Sequence, residues 1–409
     1  MSLALWLIGV PVGLVAYAYV VYPALLRLLA AVRPGRGTAP AAAPEPWPPV
    51  VSLTIPVFNE ERTIRAKLEE VLRSDYPPER LQVVVVSDAS TDGTDAIVRE
   101  FAARGVELVR LPARGGKTAA ENAVLPFLRG AIVVNSDASV SVPPEALRLL
   151  VLAFRDPTVG VASGRDVSVT RHQEGGEANQ GESSYVGYEM WVRRLETSLA
   201  GIVGASGCFY GVRADLQRIL IPEALSRDFA APLVARERGF RAVSVDGAIA
   251  YVPRMASLRQ EYRRKVRTMT RGMETLLYKR ALLDPRRYGL FAWQLWSHKV
   301  ARWLVPWAAV VAVAGVVLLT VQLGWAAGAV VALGVAVGAG ATIAAWWWPA
   351  TASLPKSIAV PGFLVMGNLA VLHATLNAIR GERQATWEPT RREREEPRRG
   401  RRGSSRPMR

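Results

Sequence analysis

The chain has 409 residues, half of them apolar, and carries 51 Lys and Arg against 35 Asp and Glu, a formal charge of +16. One cysteine, Cys208, excludes an internal disulfide and a thiolate zinc cluster, and His172, His298 and His373 are too scattered to read as a metal site. The length suits one large domain or two modest ones, and the basic excess clusters beside apolar segments, which points to membrane borders and anionic headgroups and away from nucleic acid.

Leu3 to Leu26 carries no charge and is long enough to cross a bilayer as a helix. The run is too long for a signal-peptide core and lacks a basic segment before it, so residues 1–32 are expected to form a retained transmembrane helix. Arg27, Arg33 and Arg36 follow it and mark its cytoplasmic side. Residues 33–49, rich in Pro and Ala, read as a linker.

From Val50 the pattern alternates. Strand-like runs at 50–57, 81–86, 106–111 and 131–134 are separated by helical stretches at 60–73, 92–103 and 117–128. Such alternation predicts an α/β domain over 50–256, a Rossmann-like, mostly parallel sheet covered by helices, with ligand-binding groups at the carboxyl ends of its strands. Beyond Pro143 the pattern loosens to a helix at 183–202, a glycine-rich turn at 204–211 and a helix at 228–238. Residues 257–301 begin with a basic amphipathic helix whose stripe is Leu258, Tyr262, Val266, Met269, Met273 and Leu276, of the kind that lies in a membrane interface. Three apolar segments, near 303–323, 325–348 and 358–379, place further transmembrane elements in 302–380, with tryptophans at their ends. The tail, 381–409, holds ten Arg and five Glu. One amino-terminal and three carboxy-terminal spans would put core and tail on opposite sides, so the last segment, with Pro361, Gly362, Gly367 and Asn368, reads as re-entrant or interfacial.

Three acidic loops carry the candidate chemistry: Ser87–Gly93, Asn135–Ser139 and Ser226–Phe229. Carboxylates at such places can accept hydrogen bonds from the N–H and O–H donors of a polar ligand, or can merely cap helices, as Asn59 and Asp92 are placed to do. Gly115, Gly116 and Lys117 offer flexible backbone and a cation before a helix, suited to an anionic group.

The segments Thr54–Glu61 (TIPVFNEE), Ser87–Thr94 (SDASTDGT), Arg114–Lys117 (RGGK) and Ser136–Ser139 (SDAS) follow in order and at the spacing seen in family-2 inverting glycosyltransferases of the GT-A fold. The chain resembles their membrane-embedded branch, the cellulose, chitin, hyaluronan and poly-N-acetylglucosamine synthases, over about residues 50–271. That resemblance implies a UDP-sugar donor contacted by Pro56, Asn59, Glu60, Asp88, Lys117, Asp137, Arg267 and Arg271. It also implies Mg2+ or Mn2+ held by Asp137 between the donor phosphates, although Ser139 stands where the motif has a second Asp. Asp228 falls at the position of the catalytic base, preceded by Arg227 where the family has an acid. Ser206, Gly207 and Cys208 correspond to the small-residue loop beneath the acceptor sugar, on which Trp191 or Tyr188 would stack. The Gln-x-x-Arg-Trp motif of the synthases is missing in strict form, and Trp387 belongs to a segment resembling Trp-x-x-Thr-Arg, which closes over UDP.

The expected protein is therefore a multi-pass plasma-membrane glycosyltransferase with a cytoplasmic catalytic domain and a glycan or lipid-linked acceptor. The alternatives are single transfer onto a polyprenyl-phosphate lipid and a non-catalytic membrane scaffold.

Overall fold

The computed structural model describes residues 2–32, 47–169, 180–253, 258–323, 325–347 and 356–382. Runs of Val, Leu and Ile with both faces covered form the centre of a seven-stranded sheet. Its strands are β1 (Val51–Val57), β2 (Leu81–Ser87), β3 (Val106–Arg110), β4 (Ile132–Ser136), β5 (Val159–Val169), β6 (Phe209–Arg213) and β7 (Arg241–Pro253), in the spatial order β3-β2-β1-β4-β6-β5-β7. β1 pairs in parallel with β2 and β4, β2 with β3, and β5 with β7, while β6 runs antiparallel between β4 and β5. The mixed, mostly parallel α/β architecture is the one the alternation predicts.

The two-residue period of a strand decides which side chains meet which helices. Val83 and Val85 of β2 face the core built with Ile64, Leu68, Val98, Leu150 and Phe154. Val84 and Val86 face the opposite core with Ala119, Ala120, Val124 and Leu128. Pro56 sits in β1 beyond Thr54↔Asn135, where the pairing with β4 ends, so its missing N–H breaks no ladder bond on that side.

Beyond residue 143 the structure departs from the sequence expectation. β5, β6 and β7 form where no strands were foreseen, and the expected turn at 204–211 is half loop and half strand. β5 and β7 carry Gly, Ser, Asp and Arg among their apolar residues, and β6 is only five residues long, so neither shows an apolar run. β6 nevertheless buries Phe209 and Tyr210 completely. Its pairing Ser136↔Phe209 brings the loop before β6 against the end of β4. The site depends on that contact.

Two helices, Ser2–Val32 and Leu290–Gln322, are long and apolar enough to cross a membrane. Helices Trp325–Trp347 and Lys356–Arg380 follow. The last packs along the basic Leu258–Tyr278 helix, where Tyr262 Oη lies 3.1 Å from His373 Nδ1. Val266, Met273 and Leu276 of the expected stripe are buried, Leu276 in a cluster with Phe229, Leu233 and Phe291.

A buried polar clamp ties both apolar helices to the Gln180–Ser198 helix of the core. Glu196, fully buried, accepts from Tyr22 Oη at 2.6 Å and contacts His298 Nδ1 at 2.6 Å. Glu189 contacts His298 Nε2 at 3.0 Å and accepts from the Arg302 guanidinium. Removing one member of such a network leaves buried polar partners unsatisfied. Glu196→Ala is expected to lose about 3 kcal/mol of stability, read as a lower thermal midpoint in detergent. An unchanged midpoint would show that the clamp does not hold the helices to the core.

Candidate active site

The carboxyl ends of β1 and β2 finish level, and the Asp88 N–H continues their ladder by donating to Val57 O at 2.8 Å. The Asp88 side chain is fully buried. Its two oxygens accept from the amides of Gly115 at 2.7 Å and Gly116 at 2.9 Å. Asp88 thus organises the glycine loop, holding Gly116 at φ +95°, a conformation glycine adopts without steric cost. A Cβ at Gly115 would lie 2.7 Å from Ala119 Cβ, so this residue too is held to glycine. Asn59, at φ +53°, stitches the two strand ends together: its N–H donates to Ser90 Oγ at 3.1 Å, and its Oδ1 accepts from Thr91 N at 2.8 Å. Glu60 follows at the same edge, its Oε2 accepting from Thr63 Oγ1 at 2.5 Å. Asp92 takes the Thr94 N–H at 3.0 Å, the helix-start role open to it from sequence.

The glycine loop delivers Lys117 to the end of β4. Its ammonium donates to Asp137 Oδ1 at 2.5 Å and to the Gly207 carbonyl at 2.7 Å. Burial opposes its charge, yet Asp137, then Glu121 and Asp228, hold the ammonium above the usual lysine range. The Asp137 side chain remains one-third exposed (33%), which leaves carboxylate surface for a ligand. Among the described residues no three His, Cys, Asp or Glu converge on one point. The donor set therefore fits only a hard cation that takes one carboxylate here and completes its shell with phosphate oxygens and water, as Mg2+ commonly does.

Asp228 opens the Arg227–Glu237 helix across from this pair. Its Oδ1 accepts from Phe229 N at 2.8 Å and from the Ser226 hydroxyl. A Cβ on Gly207 would lie 2.4 Å from Asp228 Oδ2, so the bare glycine lets the loop lie against the carboxylate. Ser206 fixes that loop: its N–H donates to Ser163 Oγ at 2.8 Å, and its hydroxyl donates to Asp166 Oδ1 at 2.5 Å. The Cys208 N–H donates to Ser206 Oγ at 3.1 Å, and the Cys208 carbonyl accepts from Asp137 N at 3.0 Å. Burial, with Asp166 and Asp137 nearby, pushes the Cys208 thiol well above its usual range, so it is a packed thiol with no thiolate character at neutral pH.

Lys117, Asp137, Ser206, Gly207, Cys208 and Asp228 thus converge, with Asp88 one layer behind. Other expected residues sit elsewhere or do other work. Trp191 packs with Tyr188 at a ring separation of 6.0 Å, beside Tyr22 and Leu26 of the amino-terminal helix. Arg227 is buried and points away from Asp228, donating to Gln217 O at 2.8 Å and to Asn122 Oδ1. Arg271 is buried too. It donates to Thr118 Oγ1 at 2.8 Å and Ala224 O at 3.2 Å, and also reaches Leu225 O, so its guanidinium braces the loop before Asp228. Arg267 lies on the same helix, half-buried. Trp387 lies outside the described residues.

Sequence reasoning missed Ser163, Asp166 and Glu121. The first two come from β5, whose existence the pattern did not signal. Glu121, buried one helical turn after Lys117, was a legible i, i+4 neighbour, and burial raises its pKa.

Residues 52–209 match the family model described as glycosyl transferase family 2. Over 170 residues the chain is 32% identical to a beta-monoglucosyldiacylglycerol synthase of Synechocystis sp., covering 41% of this chain and 36% of that protein. It is 35% identical over 139 residues to an N-acetylglucosaminyltransferase of Rhizobium meliloti, 32% of each chain. The aligned part thus spans about a third of these relatives' own length. In three dimensions the chain is similar to a mannosyltransferase, PcManGT from Pyrobaculum calidifontis, in complex with GDP-Man and Mn2+. The TM-score is 0.69 at 22% identity, covering 92% of this chain and 99% of that one, which shows a shared fold. Residues 52–209 thus match the glycosyl transferase family 2 model, on a mostly parallel α/β fold shared with that mannosyltransferase.

Proposed function

We propose that the chain is a membrane-bound inverting glycosyltransferase that moves a sugar from a UDP-sugar to a growing glycan or lipid-linked acceptor. The observation that carries this reading is the approach of the Asp228 carboxylate to Gly207, beside the Lys117–Asp137 pair. In the proposed reaction the acceptor hydroxyl, seated on Ser206–Cys208, gives its proton to Asp228. Its oxygen then bonds to the anomeric carbon as the bond from that carbon to the diphosphate oxygen breaks. Lys117, at the mouth of the glycine loop, offsets charge on the departing diphosphate. Mg2+ or Mn2+, held by Asp137, would supply further neutralisation there. The two long apolar helices and the basic Leu258–Tyr278 helix support a multi-pass placement in the plasma membrane with the family-2 domain on the cytoplasmic side.

A second reading, a single transfer onto a lipid, gains weight from Arg271. It stands in the segment that replaces the synthases' Gln-x-x-Arg-Trp motif, and its guanidinium is engaged by Thr118 Oγ1 and by the Ala224 and Leu225 carbonyls. Product length separates the two readings.

Purified protein incubated with a panel of UDP- and GDP-sugars is expected to release UDP from at least one donor. Release of no nucleotide from any of them would leave a non-catalytic scaffold. Asp228→Asn is expected to lower turnover by about 10^3-fold with donor affinity within about twofold of wild type, since a general base acts on the chemical step alone. Turnover near wild type would remove Asp228 from that role. Gly207→Ala should fold normally by circular dichroism yet lose at least about 10^2-fold in turnover, because displacing a reacting group by even an ångström costs on that order. Full activity would mean that the acceptor does not use this loop.

A further inference from the structure

Near the Gly204–Cys208 loop, Lys299 stands apart from the ion pairs and hydrogen bonds around it. Arg193, Lys299 and Arg302 lie near one another beside two carboxylates, Glu189 and Glu196. Both carboxylates are already engaged: Glu189 takes Arg302 and His298, and Glu196 takes Tyr22 and His298. Among the described residues the Lys299 ammonium has no carboxylate within ion-pair distance and no hydrogen-bond acceptor. Its polar contact is the face of Phe229, whose ring centroid lies 5.4 Å away.

The placement of this cation is specific. Phe229 is the residue after Asp228, and a Cβ on Gly204 would lie 3.5 Å from Lys299 Nζ. Lys299 therefore leans over the first residue of the loop whose fourth residue, Gly207, touches Asp228. Three residues of chain separate the two contacts, a reach of no more than about 11 Å. That is the span of a sugar ring and a short linker. The lysine itself projects from the helix that reads as a membrane span, Leu290–Gln322, near its core-facing end.

We infer that Lys299 is a specificity-determining residue that receives an anionic phosphate group carried by a lipid acceptor, roughly one sugar's length from the attacked hydroxyl. This rests on the transferase reading and deepens it by naming the acceptor class. An unpaired, strongly hydrated ammonium is costly where water is scarce, and a phosphate restores the local charge balance. The anion is an addition to the attacking group, since the hydroxyl belongs at Asp228. The same phosphate chemistry is present on a lipid-linked saccharide and on a bulk phospholipid headgroup.

The test uses the full chain in nonionic detergent, with farnesyl phosphate and farnesol as probes and equilibrium binding as the readout. Wild type is expected to bind farnesyl phosphate at least about tenfold more tightly than farnesol, Lys299→Met to lose that preference, and Lys299→Arg to keep it. UDP binding should be unchanged in both variants, which separates lost anion recognition from a disturbed fold. Equal affinity for the two probes in wild type, or an undiminished preference in Lys299→Met, overturns the inference. So does a Lys299→Met variant that weakens farnesol and farnesyl phosphate alike, because the lysine would then act only through Phe229. Repeating the binding in nanodiscs with and without phosphatidylglycerol distinguishes the sources. Competition by that lipid supports a headgroup ligand, and its absence supports a lipid-linked acceptor. Nucleotide release from the donor panel is measured on the same sample. No release refutes the transferase reading, whereas release without phosphate preference refutes only the role of Lys299.

Discussion

The site is organised around one ammonium group. Lys117 joins three segments far apart in the chain: the glycine loop that launches its own helix, Asp137 at the end of β4, and the Gly207 carbonyl ahead of β6. Each contact requires a different part of the fold. The glycine loop is held by the Asp88 carboxylate, and Asp137 is placed by the parallel pairing of β4 on β1. Gly207 is placed by the antiparallel pairing of β6 on β4. Were the register of β6 to slip by one residue, Phe209 and Tyr210 would exchange faces and the loop would leave Asp228. The buried aromatic pair of β6 therefore fixes the geometry of an acid it does not touch.

The same arrangement explains why a carboxylate such as Asp88 can be essential to a site without facing it. Its two oxygens are used by two amides that would otherwise be unpaired donors in a glycine-rich turn. A neutral amide side chain would keep one acceptor and bring a donor against the other N–H, so the loop requires an acid there. The charge of Lys117 is supported likewise. Asp137 pairs with it directly, while Glu121 and Asp228 contribute through space, so the carboxylates act on the cation as a set.

The first half of the domain was legible because β1, β2 and β4 are short, largely apolar runs rich in Val, each followed by polar turn residues. The ends of those strands carried Asn59, Asp88 and Asp137, with Lys117 following the glycines after β3, and the order of the motifs pointed to all four. The second half was not legible, for a local reason. β5 and β7 pair with each other through two register shifts and carry Gly164, Asp166 and Gly247 where a periodic reading looks for apolar residues. Ser163 and Asp166, which hold the Ser206 loop, were hidden with them. The polar clamp was invisible for another reason: Tyr22, Glu196 and His298 are each ordinary in their own segments, and only the fold brings them together. Arg227 and Arg271 are both buried, and each gives part of its guanidinium to main-chain carbonyls, which a buried loop must pair somewhere.

The clamp and the site share one helix, and this bears on how the core and the apolar helices act as a unit. Glu189 and Glu196 lie seven residues apart on the Gln180–Ser198 helix, on one face, and both grip His298. One residue beyond His298, Lys299 turns the other way, toward Phe229 and the loop of Gly204. Both residues lie in the π-helical turn Trp296–Val300. One side anchors the helix through buried hydrogen bonds, which fixes its rotation. The other side presents a cation at a distance from Asp228 that the anchoring keeps constant. A rigid core and an apolar helix joined only by hydrophobic contact could rotate against each other at small cost, because apolar packing lacks direction. The hydrogen-bonded clamp removes that freedom, and with it any slack between Lys299 and Asp228.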